Sequence, residues 1–147
     1  MSAFEFRETM AGSFHLTAEP LVEHPISFSV RARSRRLLRF LMSPVVEIEG
    51  EIDAPPIATH RALRGTLGMD VLRTGTLPYS FRFEGDDGKS YVFEGKKTYS
   101  LTEIVESMTV LPGVIKDDGG SEVARALLRF DARSDLFKFL KSFRRSV

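Results

Sequence analysis

The pattern that most constrains the fold of this chain lies in residues 77–99, LPYSFRFEGDDGKSYVFEGKKTY. Aromatic side chains occupy alternate positions on both sides of the turn sequence Asp86-Asp87-Gly88. They are Tyr79, Phe81, Phe83, Tyr91 and Phe93. Alternation with a period of two predicts two β-strands, each with one buried face, joined by a short turn.

Parity determines the length of the loop between these two strands. A three-residue loop at 86–88 places all of the aromatic side chains on one face, whereas a two-residue loop would set aromatic positions against polar ones. Gly88 provides the positive φ that a three-residue hairpin loop requires. The sequence therefore predicts the pairs Tyr79–Gly95, Phe81–Phe93 and Phe83–Tyr91.

Six other stretches have the character of strands. They are residues 3–17, 26–33, 45–53, about 61–73, about 104–111 and 122–131. Pro20 and Pro25 predict an interruption at 18–25. The sequence KDDGG at 116–120 predicts a loop. The strand at 45–53 has one apolar face and one acidic face, which predicts that its acidic side chains lie in water. These are Glu47, Glu49, Glu51 and Asp53.

Two stretches predict short amphipathic helices. Ser34 is a helix cap for Arg35–Met42, in which an apolar arc opposes three arginines. These arginines predict a solvated helix face, with phosphate binding as the alternative. Residues 30–41 resemble residues 130–140, so a second helix with an apolar arc from Leu136 to Phe143 is predicted. Chance similarity is the alternative explanation of this repeat.

These elements predict an all-β, mostly antiparallel fold. About eight short-spaced strands indicate a barrel or a barrel-like sandwich with two short helices. At 147 residues the chain is predicted to form a single domain, 1–147, with a core large enough to need no metal or disulfide. Strands do not alternate with long helices, which argues against a parallel doubly wound fold.

Composition excludes several classes of function. The chain has no cysteine, which removes disulfides, thiolate catalysis and cysteine zinc sites. A net charge of +1 gives no general attraction to nucleic acid. His15, His24 and His60 are far apart, so no metal site is predicted. No cofactor motif and no nucleophile elbow occur, and no catalytic residue is assigned. The absence of a signal sequence and of an apolar run of ~20 residues predicts a cytoplasmic protein without a transmembrane segment.

Lys97 has the same parity as Phe93 and Gly95. If the strand stays regular, its side chain faces the interior, where a lysine needs a carboxylate, a carbonyl or a ligand as partner. The functional interpretation is an anchor for an anionic or carbonyl group of a ligand. The structural alternative is a twist near Gly95, or a side chain that reaches out from the mouth of the barrel.

The inward aromatic residues predict an apolar binding site. The predicted ligand-binding residues are Lys97, Tyr79, Phe81, Phe83, Tyr91, Phe93, Tyr99 and Phe14. Glycines interrupt this face at Gly12, Gly50, Gly65 and Gly95. The room that they leave is either a ligand cavity or the taper of a small barrel.

Residues 87–97, DGKSYVFEGKK, and the later strand Ser107–Leu111 resemble a β-rich accessory segment fused to glucose-methanol-choline (GMC) oxidoreductases of the cholesterol-oxidase-like group. The opening Glu8-Thr9-Met10-x-Gly12 and the unit ending Phe40-Leu41 are also similar, so the likeness spans most of the chain. The matched lysine is Lys97. The resemblance implies a companion of lipid- or sterol-related metabolism. In such fusions the flavin belongs to the oxidoreductase part, so no flavin and no catalytic residue carry over.

The prediction for function is a domain that binds a small apolar ligand such as a lipid or sterol. One alternative is a non-catalytic module that docks on an oxidoreductase or self-associates through an open face. Another is a small barrel enzyme that uses Lys97 or a tyrosine as acid or base. An enclosed cavity would favour the first, an exposed apolar patch the second, and a polar group in reach of Lys97 the third.

Overall fold

A computed structural model describes residues 4–34, 45–68, 76–98 and 110–130, whose strands form one closed antiparallel barrel. The eight strands are β1 (Phe4–Leu16), β2 (Glu19–Ser34), β3 (Val45–Ala54), β4 (Ala58–Gly68), β5 (Thr76–Glu84), β6 (Ser90–Thr98), β7 (Val110–Asp117) and β8 (Glu122–Phe130). Each strand pairs with the next one along the chain, and β8 pairs with β1. The predicted all-β class and eight-stranded barrel are confirmed, and the sheet closes rather than splitting into a sandwich.

The hairpin of β5 and β6 has the predicted register. Phe81 pairs with Phe93, and the flanking pairs Tyr79–Gly95 and Phe83–Tyr91 are also those expected from parity. The Gly85 amide donates to the Lys89 carbonyl at 2.8 Å, which closes a loop of three residues. Gly88 has a φ of 80°, the left-handed conformation that this loop requires.

Strand β2 starts earlier than the prolines predicted, so the expected interruption at 18–25 is wrong. The turn occupies residues 17 and 18, and the strand resumes at Glu19. Pairing of β2 with β3 begins only at Ser27. Pro20 and Pro25 therefore lie where β2 has a neighbour on one side, and a missing N–H there removes no hydrogen bond to β3.

Strand β7 continues to Asp117, past the predicted end at 111. Pro112 pairs with Leu127 of β8, whereas the β6 ladder of this strand ends at Gly113, so this proline too is tolerated. The loop predicted at 116–120 is a turn that starts after Asp117.

Several predictions fall outside the described residues. They concern the helices at 35–42 and 136–143, the ends of strands at 69–73 and 104–109, and Tyr99. The part of the chain that the structure describes includes no helix long and apolar enough to cross a bilayer.

Antiparallel order gives the barrel two different ends. At one, here the turn end, short turns join β1 to β2, β3 to β4, β5 to β6 and β7 to β8. At the other, here the linker end, β1 begins, β8 ends, and the strands lead to residues 35–44, 69–75 and 99–109. Strands β1 and β5 both start at the linker end.

One carboxylate ties two of the turns together at the turn end. Asp86 accepts hydrogen bonds from the Thr59 amide at 2.9 Å, the Thr59 hydroxyl at 2.7 Å and Arg61 Nε at 3.0 Å. Its own amide donates to the Ile57 carbonyl at 2.8 Å. The β5–β6 loop is thereby attached to the start of β4, beyond the last β4–β5 pair at Leu63.

This attachment predicts an acid-sensitive contribution to stability. Hydrogen bonds from Thr59, together with Arg61, lower the pKa of Asp86 from the ordinary value of 3.8. A lowered pKa in the folded state contributes stability above the unfolded-state value, and this contribution is lost as pH falls through the folded-state value. We expect Asp86→Asn to lower Tm at neutral pH, and the difference from wild type to shrink below about pH 3.8. Thermal melts across this range test it. Asp118→Asn, in the exposed β7–β8 turn, is the matched control and should follow the wild type.

Candidate functional site

A carboxylate and a phenol meet inside the barrel. Glu8 lies on β1 and Tyr79 on β5, strands that are four apart in either direction around the closed sheet. The Tyr79 hydroxyl donates to Glu8 Oε1 at 2.9 Å and to Oε2 at 3.1 Å. The two residues are 2% and 1% exposed. The hydrogen-bonded pair therefore spans the interior between opposite walls.

Register places both side chains in the half of the barrel nearer the linker end. Glu8 pairs with the buried Val30 and shares the parity of the buried Met10. Tyr79 pairs with Leu67 of β4 and Gly95 of β6. The hydrogen bond between the two side chains shows that they lie at similar depth in the interior.

The surroundings of the pair are apolar. The ring of Phe28 meets that of Tyr79 edge-on, with 6.3 Å between centroids. Met10 and Phe81, the next inward residues of β1 and β5 toward the turn end, are at most 1% exposed. A buried carboxylate in such an environment needs hydrogen-bond donors, and the Tyr79 hydroxyl supplies one.

Burial raises the pKa of Tyr79 well above the ordinary 10.0, and the negative charge of Glu8 and the hydrogen bond to it act in the same direction. The Tyr79 hydroxyl therefore keeps its proton, and its hydrogen bond to Glu8, at a pH where an ordinary tyrosine would ionise.

A raised pKa in the folded state contributes stability below the unfolded-state pKa, and this contribution is lost as pH rises. We expect Tyr79→Phe to cost about 1–3 kcal/mol at neutral pH, because it takes a hydrogen bond from a buried carboxylate. The difference in free energy of unfolding between wild type and Tyr79→Phe should narrow above pH 10.0. Denaturant unfolding of both proteins as a function of pH measures this. In near-ultraviolet titration, the two folded proteins should form the same amount of phenolate, and a larger amount in wild type would contradict the assignment.

An aromatic cluster fills the middle of the barrel. Phe81 and Phe93 stack at 4.9 Å between centroids, and Phe28 meets them edge-on at 5.1 and 5.7 Å. Strands β2, β5 and β6 supply these rings, so the cluster extends across the interior. The predicted inward placement of Phe81 and Phe93 agrees with the structure, and Phe28 joins them.

The other predicted aromatic residues lie toward the turn end. Phe83 and Tyr91 stack at 5.8 Å. The Tyr91 hydroxyl donates to Asp87 Oδ2 at 2.6 Å, and this bond is the main cause that raises the pKa of Tyr91 to about 12. Tyr91 therefore fastens the β5–β6 loop and directs its polar atom away from the interior. Phe14 is buried on β1, with its ring 5.2 Å from that of His24.

The structure describes Lys97 by its backbone only, as part of β6. It pairs with Leu77, whose side chain is fully buried, and the β5–β6 ladder is regular from Glu84 to Thr76. The prediction for Lys97 depended on a regular strand, and that strand is present. The role of Lys97 as an anchor for a ligand stays a prediction.

The four glycines that interrupt the apolar parity allow neighbouring strands to approach closely. A Cβ built on Gly50 would lie 1.8 Å from the Ser29 carbonyl oxygen, and one on Gly65 would lie 1.9 Å from that of Ser80. Gly12 and Gly95 are also approached by neighbouring backbone. Of the two explanations offered by the sequence, a taper with close contact between strands agrees with the structure at these glycines.

Sequence reasoning missed Glu8. Phe6, Met10 and Phe14 share one parity along β1, and Glu8 falls on the same parity. A single carboxylate at an inward position could have indicated this site from the sequence, because a buried carboxylate requires a hydrogen-bond donor in the interior. The identity of that donor depends on which strand stands opposite after closure.

The outer face of β3 is acidic, as predicted for Glu47, Glu49 and Glu51, which are exposed. Asp53 departs from the prediction because it is half-buried. On β2, Arg31 and Arg33 lie 3.6 and 3.5 Å from the carboxylate of Glu5 on β1. These exposed pairs are worth little to stability, and they give the outer face charges of both signs.

The described ranges contain no group of three or more histidine, aspartate or glutamate side chains that could hold a metal ion. Among the residues that the structure describes, the polar side chains that meet inside the barrel are Glu8 and Tyr79. No protein-family model matches this chain, and neither a curated protein nor a solved structure matches it.

Proposed function

We propose that the barrel binds a small apolar ligand, such as a lipid or sterol, in the half nearer the linker end. The observation that supports this proposal is the buried Glu8–Tyr79 pair, which is surrounded by apolar side chains among the described residues. Binding sites for small molecules are mostly apolar with a few convergent polar groups, and eight strands enclose enough space for one small ligand.

Packing restricts where such a ligand lies. Phe28, Phe81 and Phe93 fill the middle of the barrel, and Phe83 with Tyr91 fills part of the turn end. The ligand therefore enters from the linker end and stops on the aromatic cluster, beside Glu8 and Tyr79. The predicted roles of Lys97 and Tyr99 in binding stay part of this proposal, and Phe14, Phe83 and Tyr91 support the aromatic cluster from the turn-end side.

The resemblance to the accessory segments of GMC oxidoreductases implies a companion role in lipid- or sterol-related metabolism, with an oxidoreductase as partner. A cytoplasmic location is part of the same proposal. A buried polar pair that recognises one end of an apolar molecule fits such a role.

Native mass spectrometry of the full chain purified from cells tests the proposal. We expect a bound lipid or sterol at a ratio of one to one, or uptake of one from a lipid mixture. Ala32→Leu should remove it, since Ala32 is fully buried on β2 near the linker end and a larger side chain would occupy the site. The matched control is Ala62→Leu on the outer face of β4, which should retain binding. Circular dichroism verifies that both variants fold. A bare mass with no uptake by the wild type would overturn the proposal.

A second candidate function is self-association or docking through the β1–β2 hairpin. Leu21 is 97% exposed and its neighbour Val22 is 45% exposed, in a part of β2 that β3 does not cover. Exposed apolar side chains at a projecting tip are typical of contact sites. Light scattering during size-exclusion chromatography tests self-association: an oligomer that Leu21→Ser dissociates would support it. Leu127→Ser, at another exposed leucine, is the control.

A further inference from the structure

We propose that the outer face of β4 and β5 binds a phosphate group between two arginines that oppose each other there. This site lies on the outside of the barrel wall, away from the interior in which the apolar ligand is placed. It therefore goes beyond the proposed function, and its test does not depend on that function. The register of the outward side chains and an open groove above them support this site.

Two arginines and two hydroxyl groups come together on adjacent strands. Arg64 pairs with Arg82, and the next outward pair toward the linker end is Thr66 with Ser80. All four residues are exposed. Gly65 lies between the two outward positions of β4, and a Cβ built on it would lie 1.9 Å from the Ser80 carbonyl oxygen. The two strands are therefore in close contact where these four side chains leave the sheet.

The pair of Arg64 with Arg82 is unfavourable by itself, because like charges directly opposite each other destabilise an antiparallel sheet. Within the described ranges, none of the ion pairs includes either of these two residues. Each guanidinium group has five N–H donors and no acceptor. An anion bound between the two groups would remove the repulsion and accept hydrogen bonds from both.

An open groove of about 730 Å³ passes over this side of the barrel. The outward residues that line it include four arginines and two glutamates, namely Arg7, Arg31, Arg64, Arg82, Glu49 and Glu51. Glu51 is engaged by His60, whose Nδ1 lies 2.9 Å from its carboxylate. Positive charge therefore exceeds negative charge among the outward side chains of the groove.

The acidic residues that flank the arginine pair have cations on their far side. Glu47 and Glu49 of β3 each pair with an arginine of β2 in the register. On β6, the carboxylate of Glu94 lies 3.6 Å from Lys116 Nζ. These acids are balanced by the cations beyond them, and the charge of the arginine pair is left for a ligand.

The donors at this site match a phosphate group. The planar fork of a guanidinium group fits two oxygens of a phosphate, and two such forks are offered here. The hydroxyl groups of Thr66 and Ser80 can donate to a further oxygen. A phosphate monoester carries up to about two negative charges, which match the two arginines. A soluble phosphate compound and the phosphate of a lipid headgroup present the same chemistry.

Pyrophosphate is the probe for a soluble ligand. Isothermal titration calorimetry with the full chain at low ionic strength gives its Kd. We expect Arg82→Gln to weaken binding by about three- to tenfold, since it removes one charge and one fork of donors from an exposed site. Arg129→Gln is the matched control, because Arg129 is exposed on β8 and pairs with Ala11 and Val110 instead of a second arginine. It should keep the wild-type Kd.

Thermal melts provide a second measurement, which also verifies that the variants fold. With chloride as the only anion, Arg82→Gln should have a Tm at or above that of the wild type, because the repulsion across the pair is gone. Pyrophosphate should raise the Tm of the wild type by binding to the folded state, and raise that of Arg82→Gln less. An equal increase in the two proteins would overturn the proposal.

Co-sedimentation with phosphatidylcholine vesicles, with and without phosphatidic acid, tests the lipid source. Binding that requires phosphatidic acid and weakens in Arg82→Gln would support the site as one for lipid headgroups. Binding of pyrophosphate alone would support it as one for soluble phosphate compounds. If neither probe binds, or if Arg129→Gln loses as much affinity as Arg82→Gln, the proposal is wrong.

Discussion

Replacement of Phe28 by Ala is expected to cost about 3–5 kcal/mol of the free energy of unfolding. Phe28 is 1% exposed, and its ring meets those of Tyr79, Phe81 and Phe93 at 6.3, 5.1 and 5.7 Å. These partners come from β5 and β6, across the interior from β2. Loss of the ring leaves a cavity at the centre of the barrel, since hydrogen-bonded strands cannot move inward independently to fill it.

Urea unfolding followed by circular dichroism measures the loss in free energy of unfolding. In a thermal melt, Tm should fall by about 6–20 °C for a domain of this size. Leu21→Ala on the same strand is the matched control. Leu21 is 97% exposed, so its truncation should change the free energy of unfolding by no more than about 0.5 kcal/mol. A loss below about 1.5 kcal/mol for Phe28→Ala would show that the centre of the barrel is not packed as described.

The second large effect is expected from the smallest substitution, Gly65→Ala. The added Cβ would lie 1.9 Å from the Ser80 carbonyl oxygen and 2.4 Å from Phe81 Cα. Both atoms belong to the backbone of β5, which cannot yield as the end of a flexible side chain can. Relief requires separation of β4 from β5, where Gly65 pairs with Phe81. We expect a cost of about 3 kcal/mol or more, at or beyond the upper end for overpacking a core.

Gly119→Ala is the matched control for this substitution. A Cβ on Gly119, in the β7–β8 turn, would meet its nearest atom, Asp117 Oδ1, at the ordinary distance of 3.5 Å. Its stability should stay within about 0.5 kcal/mol of wild type. If Gly65→Ala and Gly119→Ala both have the Tm of the wild type, β4 and β5 are farther apart at Gly65 than described. Hydrogen exchange of the β4–β5 amides would show where Gly65→Ala opens the sheet.

Local sequence patterns predicted the parts of the fold that depend on neighbours along the chain. The register of β5 and β6 followed from the parity of Tyr79, Phe81 and Phe93, because a slip by one residue turns every aromatic side chain outward. The early start of β2 could not be predicted in this way. Whether Pro25 breaks a strand depends on the presence of a second neighbour, and the position of β3 relative to β2 is a property of the sheet.

The candidate site was predictable in part. Tyr79 was assigned to the interior from alternation alone, whereas its bond to Glu8 joins strands that share no ladder. Contacts across a barrel depend on strand number, tilt and stagger together, and none of these is encoded in a short stretch. The same limit applies to Gly65. The sequence shows that this position has no side chain, but whether the space beside it is empty or filled by the backbone of Ser80 depends on how closely β5 approaches β4.

Closure of the barrel rests on a single long-range ladder. Seven ladders join strands that follow each other along the chain, while the eighth pairs Met10 of β1 with Phe130 of β8 and continues to Leu16 and Ala124. Formation of this ladder carries the largest loop-closure entropy, so we expect it to form last during folding. Until then β1 and β8 are edge strands with unpaired backbone groups. Two partly folded copies can satisfy these edges by exchange of β8, and domain-swapped dimers are accordingly the misfolded product to seek when the protein is refolded at high concentration.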